Sequence, residues 1–243
     1  MKSTKKSLLL ICFISLIVGL VGCSKKDDEN NTTDKSGTPN LADAMSQKGK
    51  EQAAISALPE GNASTPLSQY KELTGDNDIM FVYYALSSLP VDYDKVLMSY
   101  SDDYRRASDE FKKQDILKAL KPKLDQEIAA AKNARYLKMT WDNFSLRKYD
   151  FQAKGFPNEL SNGSNLGWGA YRLAFTNGDN FKFYKVEDEA KARMIEEKRS
   201  KYETLNLVVY VYAQDADLNE KYIKTQVMKV ALQDKHGTEL FSQ

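Results

Sequence analysis

The chain has 243 residues, Lys+Arg 35 against Asp+Glu 34, and a net charge of +1. That length allows one or two modest domains, and near neutrality without a basic block leaves no general electrostatic reason to bind nucleic acid. His236 is the only histidine, so a multi-histidine zinc site is excluded and a Ser/His/Asp triad would have to be built on that one residue.

Lys2, Lys5 and Lys6 precede an apolar run from Leu8 to Val21. A membrane-spanning helix takes about 20 residues, so this run fits the apolar region of a secretory leader better than a span. Gly22 then leaves an unobstructed approach to Cys23. The stretch Leu20-Val21-Gly22-Cys23 resembles the lipobox of bacterial lipoproteins. The resemblance implies that residues 1–22 are a signal peptide, that the Cys23 thiol takes diacylglycerol, and that the new amino terminus is open to acylation (palmitate or a similar chain). Two or more acyl chains make a stable anchor, because each buried CH2 contributes about 0.8 kcal/mol and one chain is marginal. Ser24 and Lys25 lack the acidic residue that favours inner-membrane retention in that class. The expected location is therefore the outer membrane, facing the periplasm, with the membrane as a partner through lipid. An uncleaved anchor or an ordinary signal peptide with an incidental cysteine is the alternative.

Removing the leader takes three lysines away and leaves 32 basic against 34 acidic side chains. Cys12 goes with the leader and Cys23 is consumed by lipid, so the processed domain is expected to have no disulfide, thiol nucleophile or thiolate metal site. Residues 23–66, rich in Ser, Lys, Asp, Asn, Thr and Gly, read as a flexible polar tether with a reach of roughly 35 Å. A weak helix over 41–58 is interrupted by Gly49.

Residues 67–134 have helical periodicity. An apolar segment from Ile79 to Leu89 stops at Pro90. Asp92 opens a second helix with Tyr93, Val96, Leu97, Tyr100 and Tyr104 on one face. Ser108 opens a third, with Phe111, Leu117, Leu120, Leu124, Ile128 and Ala131 as its buried face and a kink or break at Pro122. From 135 to 243 the period is two. Leu137, Met139 and Trp141 alternate inward, and the parity changes after Leu146, which suggests a bulge near Arg147-Lys148. Residues 155–169 read as a loop. Tyr171 to Phe175 is a strand, and Asn177-Gly178 is the strongest hairpin signal, returning through Phe181 and Phe183. Glu187 to Arg199 is a helical insertion with Ala190, Met194 and Ile195 on its apolar side. Leu205 to Ala213 is apolar on both parities and therefore central, and Tyr222 to Phe241 forms a hairpin across Lys235-His236-Gly237.

Helices first and strands after argue for an α+β fold, with N-terminal helices packed on a mainly antiparallel sheet or sandwich of about seven strands and one helical insertion, residues 67–243 forming one globular unit. The best ligand contact is the loop from Glu159 to Trp168, through Asn162, Asn165 and Trp168, although burial of Trp168 under its own loop is the plainer reading. Asp142, Asp150, Glu159 and Asp179 could pair as general acid and base, but nothing in their spacing sets a separation. Asp215, Asp217 and Asn219 begin like a calcium loop, but Glu220 stands where the turn needs glycine. His236 reads as an exposed turn residue. No catalytic residue, metal or cofactor is assigned. Leu120-Lys121-Pro122, Tyr149-Asp150-Phe151, Lys154-Gly155-Phe156-Pro157 and Asp234 to Gly237 resemble an uncharacterised family of Gram-negative lipoproteins of unknown function, which carries over no site residue. The expected role is binding, scaffolding or envelope maintenance with an envelope protein or glycan partner. The alternative is a carboxylate-dependent hydrolase of cell-wall glycan or peptide.

Overall fold

Residues 205–213, apolar on both parities, are the first nine residues of the 13-residue strand β7 (Leu205–Asp217), which lies inside the sheet. The computed structural model describes residues 41–243, so the leader, the lipobox and Cys23 lie outside the described residues. β7 pairs antiparallel with β2 (Tyr136–Trp141) on one side and β8 (Tyr222–Asp234) on the other. The far edge of β8 is shared. β5 (Arg172–Phe175) runs parallel to Tyr222–Thr225, and β9 (Glu239–Ser242) returns antiparallel along Ala231–Gln233. β1 (Lys71–Glu72) on β2 and β4 (Asn165–Leu166) on β5 complete a seven-stranded, mainly antiparallel sheet of order β1-β2-β7-β8-β5-β4, with β9 on β8. β3 (Gly155–Pro157) and β6 (Phe183–Lys185) form a separate two-stranded sheet. The fold is α+β.

The core is built around α2 (Asp76–Leu86), in which six successive residues, Ile79 to Tyr84, are buried. A helix apolar on every side must be enclosed rather than laid on a surface. α2 is held between β5, β7 and β8 and the outer helices α3 (Tyr93–Tyr100) and α5 (Glu110–Asn133). Each of its fully buried large side chains contributes about 1.5–3 kcal/mol of transfer free energy. Thr74 fixes the start of α2, because its N–H and its hydroxyl both donate to Asp78 Oδ2 at 2.8 Å.

Several expectations change. The stripe from Tyr93 to Tyr104 is divided, since the Ser101 hydroxyl accepts from the Tyr104 N–H and caps a separate short helix, α4 (Asp102–Arg106). α5 starts one residue after the expected cap, on Asp109, and runs unbroken through Pro122. Pro122 and Lys118 are both exposed, so the Lys118 carbonyl left without an N–H partner can be met by water. Phe111, expected in the core, is 84% exposed in the first turn of α5. Asn177-Gly178 makes no hairpin: a 3₁₀ turn over Gly178–Phe181 separates β5 from β6, which belong to different sheets. No strand follows Trp141 before Gly155 among the described residues; Phe144 and Leu146 are buried from within a loop that closes on an Asp150–Gly155 bridge. On α6 (Glu189–Ser200) the buried face is Ala192 and Ile195, with Ala190 and Met194 exposed.

The stretch assigned to the tether also changes at both of its described parts. α1 (Leu41–Ser56) passes through Gly49 as one helix. The chain after it covers the second face of the sheet, where β2 and β7 present Tyr136, Tyr210 and Tyr212. The Gly61 N–H donates to Gln226 Oε1 (2.8 Å), the Asn62 N–H to the Tyr136 hydroxyl (2.8 Å), and Gln214 Nε2 to the Pro59 carbonyl (3.0 Å). Tyr70 completes the cover, edge-on to Tyr136 and Tyr210 at 5.3 Å. Gly61 is required here, since a Cβ would lie 2.7 Å from Tyr212 Cβ. Large apolar rings on the outward parity of β7 need such a cover, and polar composition alone hid the segment that provides it.

Candidate ligand-binding groove

The inward alternation of β2 buries Leu137 and Met139 and then reaches the end of the strand at Trp141, where the core stops. The Trp141 ring is fixed edge-to-face on buried Phe144 (centroids 5.4 Å apart) yet stays 37% exposed. β1 covers only Leu137 and Lys138, so beyond Lys138 the outer edge of β2 pairs with no strand among the described residues. β4, at the opposite end of the sheet order, pairs only with β5. Three strands separate β2 from β4, yet both line one groove of about 430 Å³. The sheet therefore curls until its two edges face each other across an open seam.

Trp168, 48% exposed, Asn165 and Arg172 stand on the β4–β5 wall; Met139, Trp141 and Asp142 stand on the β2 wall. The β4–β5 wall is tightly made. Arg172 Nη1 donates to Asn165 Oδ1 at 3.0 Å and its Nε to the Gly169 carbonyl at 3.3 Å. The Tyr171 N–H donates to Asp76 Oδ1 at 3.2 Å, tying the loop that carries Trp168 to the first residue of α2. Gly169 sits directly on that carboxylate, where a Cβ would lie 2.6 Å from Asp76 Cγ. The result is a cleft within the 300–1,000 Å³ range of small-ligand sites, with two partly exposed indoles and a few polar groups.

Of the residues expected to contact ligand, Asn165 and Trp168 meet in this groove and Asn162 does not. Asn162 is used in a reciprocal tie: its N–H donates to Asp179 Oδ1 (3.3 Å) and its Oδ1 accepts from the Asp179 N–H (3.1 Å). Trp168 is not buried under its own loop, contrary to the plainer reading. Trp141 and Arg172 were missed, because each reads in sequence as an ordinary strand residue. No family model, curated protein or solved structure matches the chain.

Of the four candidate acid/base carboxylates, one, Asp142, lines this groove. Asp150 Oδ1 accepts from the N–H groups of Gln152 and Ala153, Glu159 is paired with Arg147 at 2.7 Å, and Asp179 is held by Asn162. Asp215 and Asp217 end β7 in a hairpin whose turn is tied by Asp217 Oδ1 to the Asn219 N–H, and no cluster of three or more metal-ligating side chains occurs among the described residues. His236 is exposed in the β8–β9 turn.

A larger groove of about 610 Å³ lies between Tyr149, Phe151 and α6, but its carboxylates are already engaged. Glu187, Glu189, Glu196 and Glu197 pair with Lys185, Arg193, Arg199 and Lys201 at 2.5–2.6 Å. Volume alone does not make a site when its charged groups already hold one another.

Glu196 gives this region a pH dependence. Its carboxylate accepts from Arg199 Nη2 (2.6 Å) and Nε (2.8 Å) and from the Tyr149 N–H (3.3 Å). The Arg199 hydrogen bonds, more than the Tyr149 one, hold its carboxyl below the usual glutamate value. A depressed folded value contributes stability that is present above the unfolded value, near 4.3, and is lost as pH falls through the folded value. One third of the Glu196 side chain is exposed, so solvent screening limits the pair. Glu196→Gln is expected to lower stability by about 1 kcal/mol at pH 7 and by progressively less below about pH 4. Urea titrations of both proteins at pH 7 and pH 3 measure it; an equal difference at both pH values contradicts the assignment.

Proposed function

We propose that the chain is a lipid-anchored protein of the bacterial envelope that holds a glycan in the Trp141–Trp168 groove without cutting it. The observation that carries the binding half is that the only two tryptophans of the sequence, both partly exposed, line one groove together with Asn165, Arg172 and Asp142. Indole faces stack on the apolar faces of sugar rings, and side-chain amide, guanidinium and carboxylate groups bond their hydroxyls. Hydrolysis of a glycosidic bond uses two carboxyl groups flanking it, and Asp142 is the one carboxylate in the groove lining. That supports binding over the hydrolase alternative. The anchoring half rests on the order of basic residues, apolar run and Gly22-Cys23.

Both indoles sit in the groove, so intrinsic tryptophan fluorescence reports the site directly. Titrating the protein with soluble envelope oligosaccharides is expected to give a saturable change in emission. Trp168→Ala is expected to weaken binding about tenfold, equivalent to about 1.4 kcal/mol, in the range of a good aromatic contact. Unchanged emission with every oligosaccharide, or unaltered affinity in the variant, rejects the reading. Replacing Cys23 by Ser is expected to move the protein from the membrane to the soluble envelope fraction, and retention in the membrane rejects the anchor.

A further inference from the structure

The guanidinium of Arg172 differs from those of the other arginines. Arg105, Arg106, Arg147, Arg193 and Arg199 each pair with a carboxylate within 4.0 Å. Arg135 lies over the Tyr212 ring at 5.9 Å and donates to the Ala213 and Gln214 carbonyls. Arg172 is held only by the neutral Gly169 carbonyl and Asn165 amide oxygen, and it lines the groove. Those two bonds use Nε–H and one N–H of Nη1. They leave one hydrogen on Nη1 and both hydrogens on Nη2 without a protein acceptor among the described residues. The charge is fixed in direction and left unneutralised.

A cation oriented by neutral acceptors is preorganised for an anion, because the side-chain entropy of holding it has been spent before the ligand arrives. A planar guanidinium with free N–H groups on both terminal nitrogens suits a carboxylate. Asp142 on the β2 wall gives the groove the opposite polarity on its other side. A ligand acid is therefore directed to the β4–β5 wall, and hydroxyl donors to the β2 wall.

We infer that the groove selects a sugar ring that carries a carboxylate, with the acid on Arg172, the ring against the indoles of Trp141 and Trp168, and a hydroxyl donated to Asp142. This rests on the glycan reading and deepens it. Two sources supply such an acid: the uronic acids of a polysaccharide, and the lactyl-ether acid of a cell-wall amino sugar.

The test compares four probes by tryptophan fluorescence on the full protein: an oligouronate, an amino-sugar disaccharide with a free lactyl acid, and the carboxyl-reduced form of each. At least one acid is expected to bind ten times tighter than its reduced counterpart, with affinity falling as salt rises from 50 to 500 mM. The acid that shows this identifies the source. Arg172→Gln is expected to abolish the preference, the acid losing at least ten times more affinity than the reduced sugar, and Arg172→Lys to restore part of it, because lysine keeps the charge and loses the bidentate fork. Arg172 is exposed, and an unchanged circular dichroism spectrum and melting temperature establish that each variant is folded. If wild-type protein binds acid and reduced sugar equally, and Trp168→Ala weakens both, the acid selection is wrong and the glycan reading stands. If no probe binds, both fall.

Discussion

Asn177→Asp is expected to destabilise the protein by about 2 kcal/mol at pH 7 and by much less at pH 4, near the unfolded carboxyl value. The reason lies in how β5 ends. Past Phe175 the Thr176 N–H still donates to the Thr225 carbonyl (2.9 Å), but the backbone then turns away. The Asn177 side-chain amide continues the pairing in its place: Nδ2 donates to the Val227 carbonyl at 2.9 Å and Oδ1 accepts from the Val227 N–H at 2.7 Å. Aspartate keeps the acceptor and replaces the donor with an oxygen that faces a carbonyl oxygen. Its ionised form is disfavoured there, so its folded pKa lies above the unfolded one. Such a group contributes stability below the unfolded value and loses it as pH rises through the folded value. Asn177→Ala removes both bonds and is expected to lose similar stability at both pH values. Denaturant titrations of the three proteins at pH 4 and pH 7 separate these outcomes, and an aspartate variant as stable as the parent at pH 7 contradicts the pairing. The neighbour is as constrained. A Cβ on Gly178 would lie 2.3 Å from the Ser161 carbonyl oxygen and 2.5 Å from its carbon, both backbone atoms, so Gly178→Ala is expected to cost about 1–3 kcal/mol or more.

Asn177-Gly178 also shows where sequence reasoning stopped. An Asn-Gly pair between apolar runs signals a two-residue hairpin because both residues accept positive φ. Here Asn177 has φ −129°, and Gly178 is outside the positive-φ glycines of the described residues. The pair is used instead for an amide that bonds a neighbouring strand and for a missing Cβ that admits Ser161. Both demands are tertiary and leave the same local letters. The features that local periodicity controls were legible: the helix-to-strand switch near residue 134, the central two-faced strand β7, the β8–β9 hairpin and the α+β class. The groove was half legible. Asn165 and Trp168 could be named because turn formers around a tryptophan in a loop suggest a contact surface. Trp141 and Arg172 could not, because what makes them part of a site is the curl that brings β2 to β4, and no spacing in the chain encodes that closure.

Residues 59–66 carry the same lesson in the opposite direction. Their composition cannot support a core of its own, and the tether assignment followed from that. A segment with few apolar residues can still be ordered by a surface that needs covering, and the tyrosines on the outward parity of β2 and β7 supply one. The curl that opens the groove and the cover on the second face are two consequences of one sheet, whose inner face wraps α2.

Leu124→Ala in α5 is expected to cost about 2–5 kcal/mol, whereas Phe111→Ala in the same helix is expected to stay within about 0.5 kcal/mol. Both residues were expected on one buried face, although thirteen residues at about 100° each set them about 140° apart around the helix, and by hydrophobicity alone Phe111 is the larger loss. Leu124 is fully buried, whereas Phe111 is 84% exposed two residues after the Asp109 cap. Removing three buried carbons at Leu124 forfeits their transfer free energy and leaves a cavity between α5 and α2 that a helix enclosed on all sides cannot collapse to fill. A domain of this size has about 5–15 kcal/mol of total stability, so the larger loss moves the protein toward its unfolding threshold at moderate temperature. Urea unfolding midpoints at pH 7, with m-values checked for constancy, decide between residue hydrophobicity and the fold. Equal losses at the two positions would mean that Phe111 is covered in solution and that the start of α5 packs differently. A large loss at Leu124 alone, with the Trp141 and Trp168 emission shifted as well, would show that the helix layer behind α2 holds the sheet in the curl on which the groove depends.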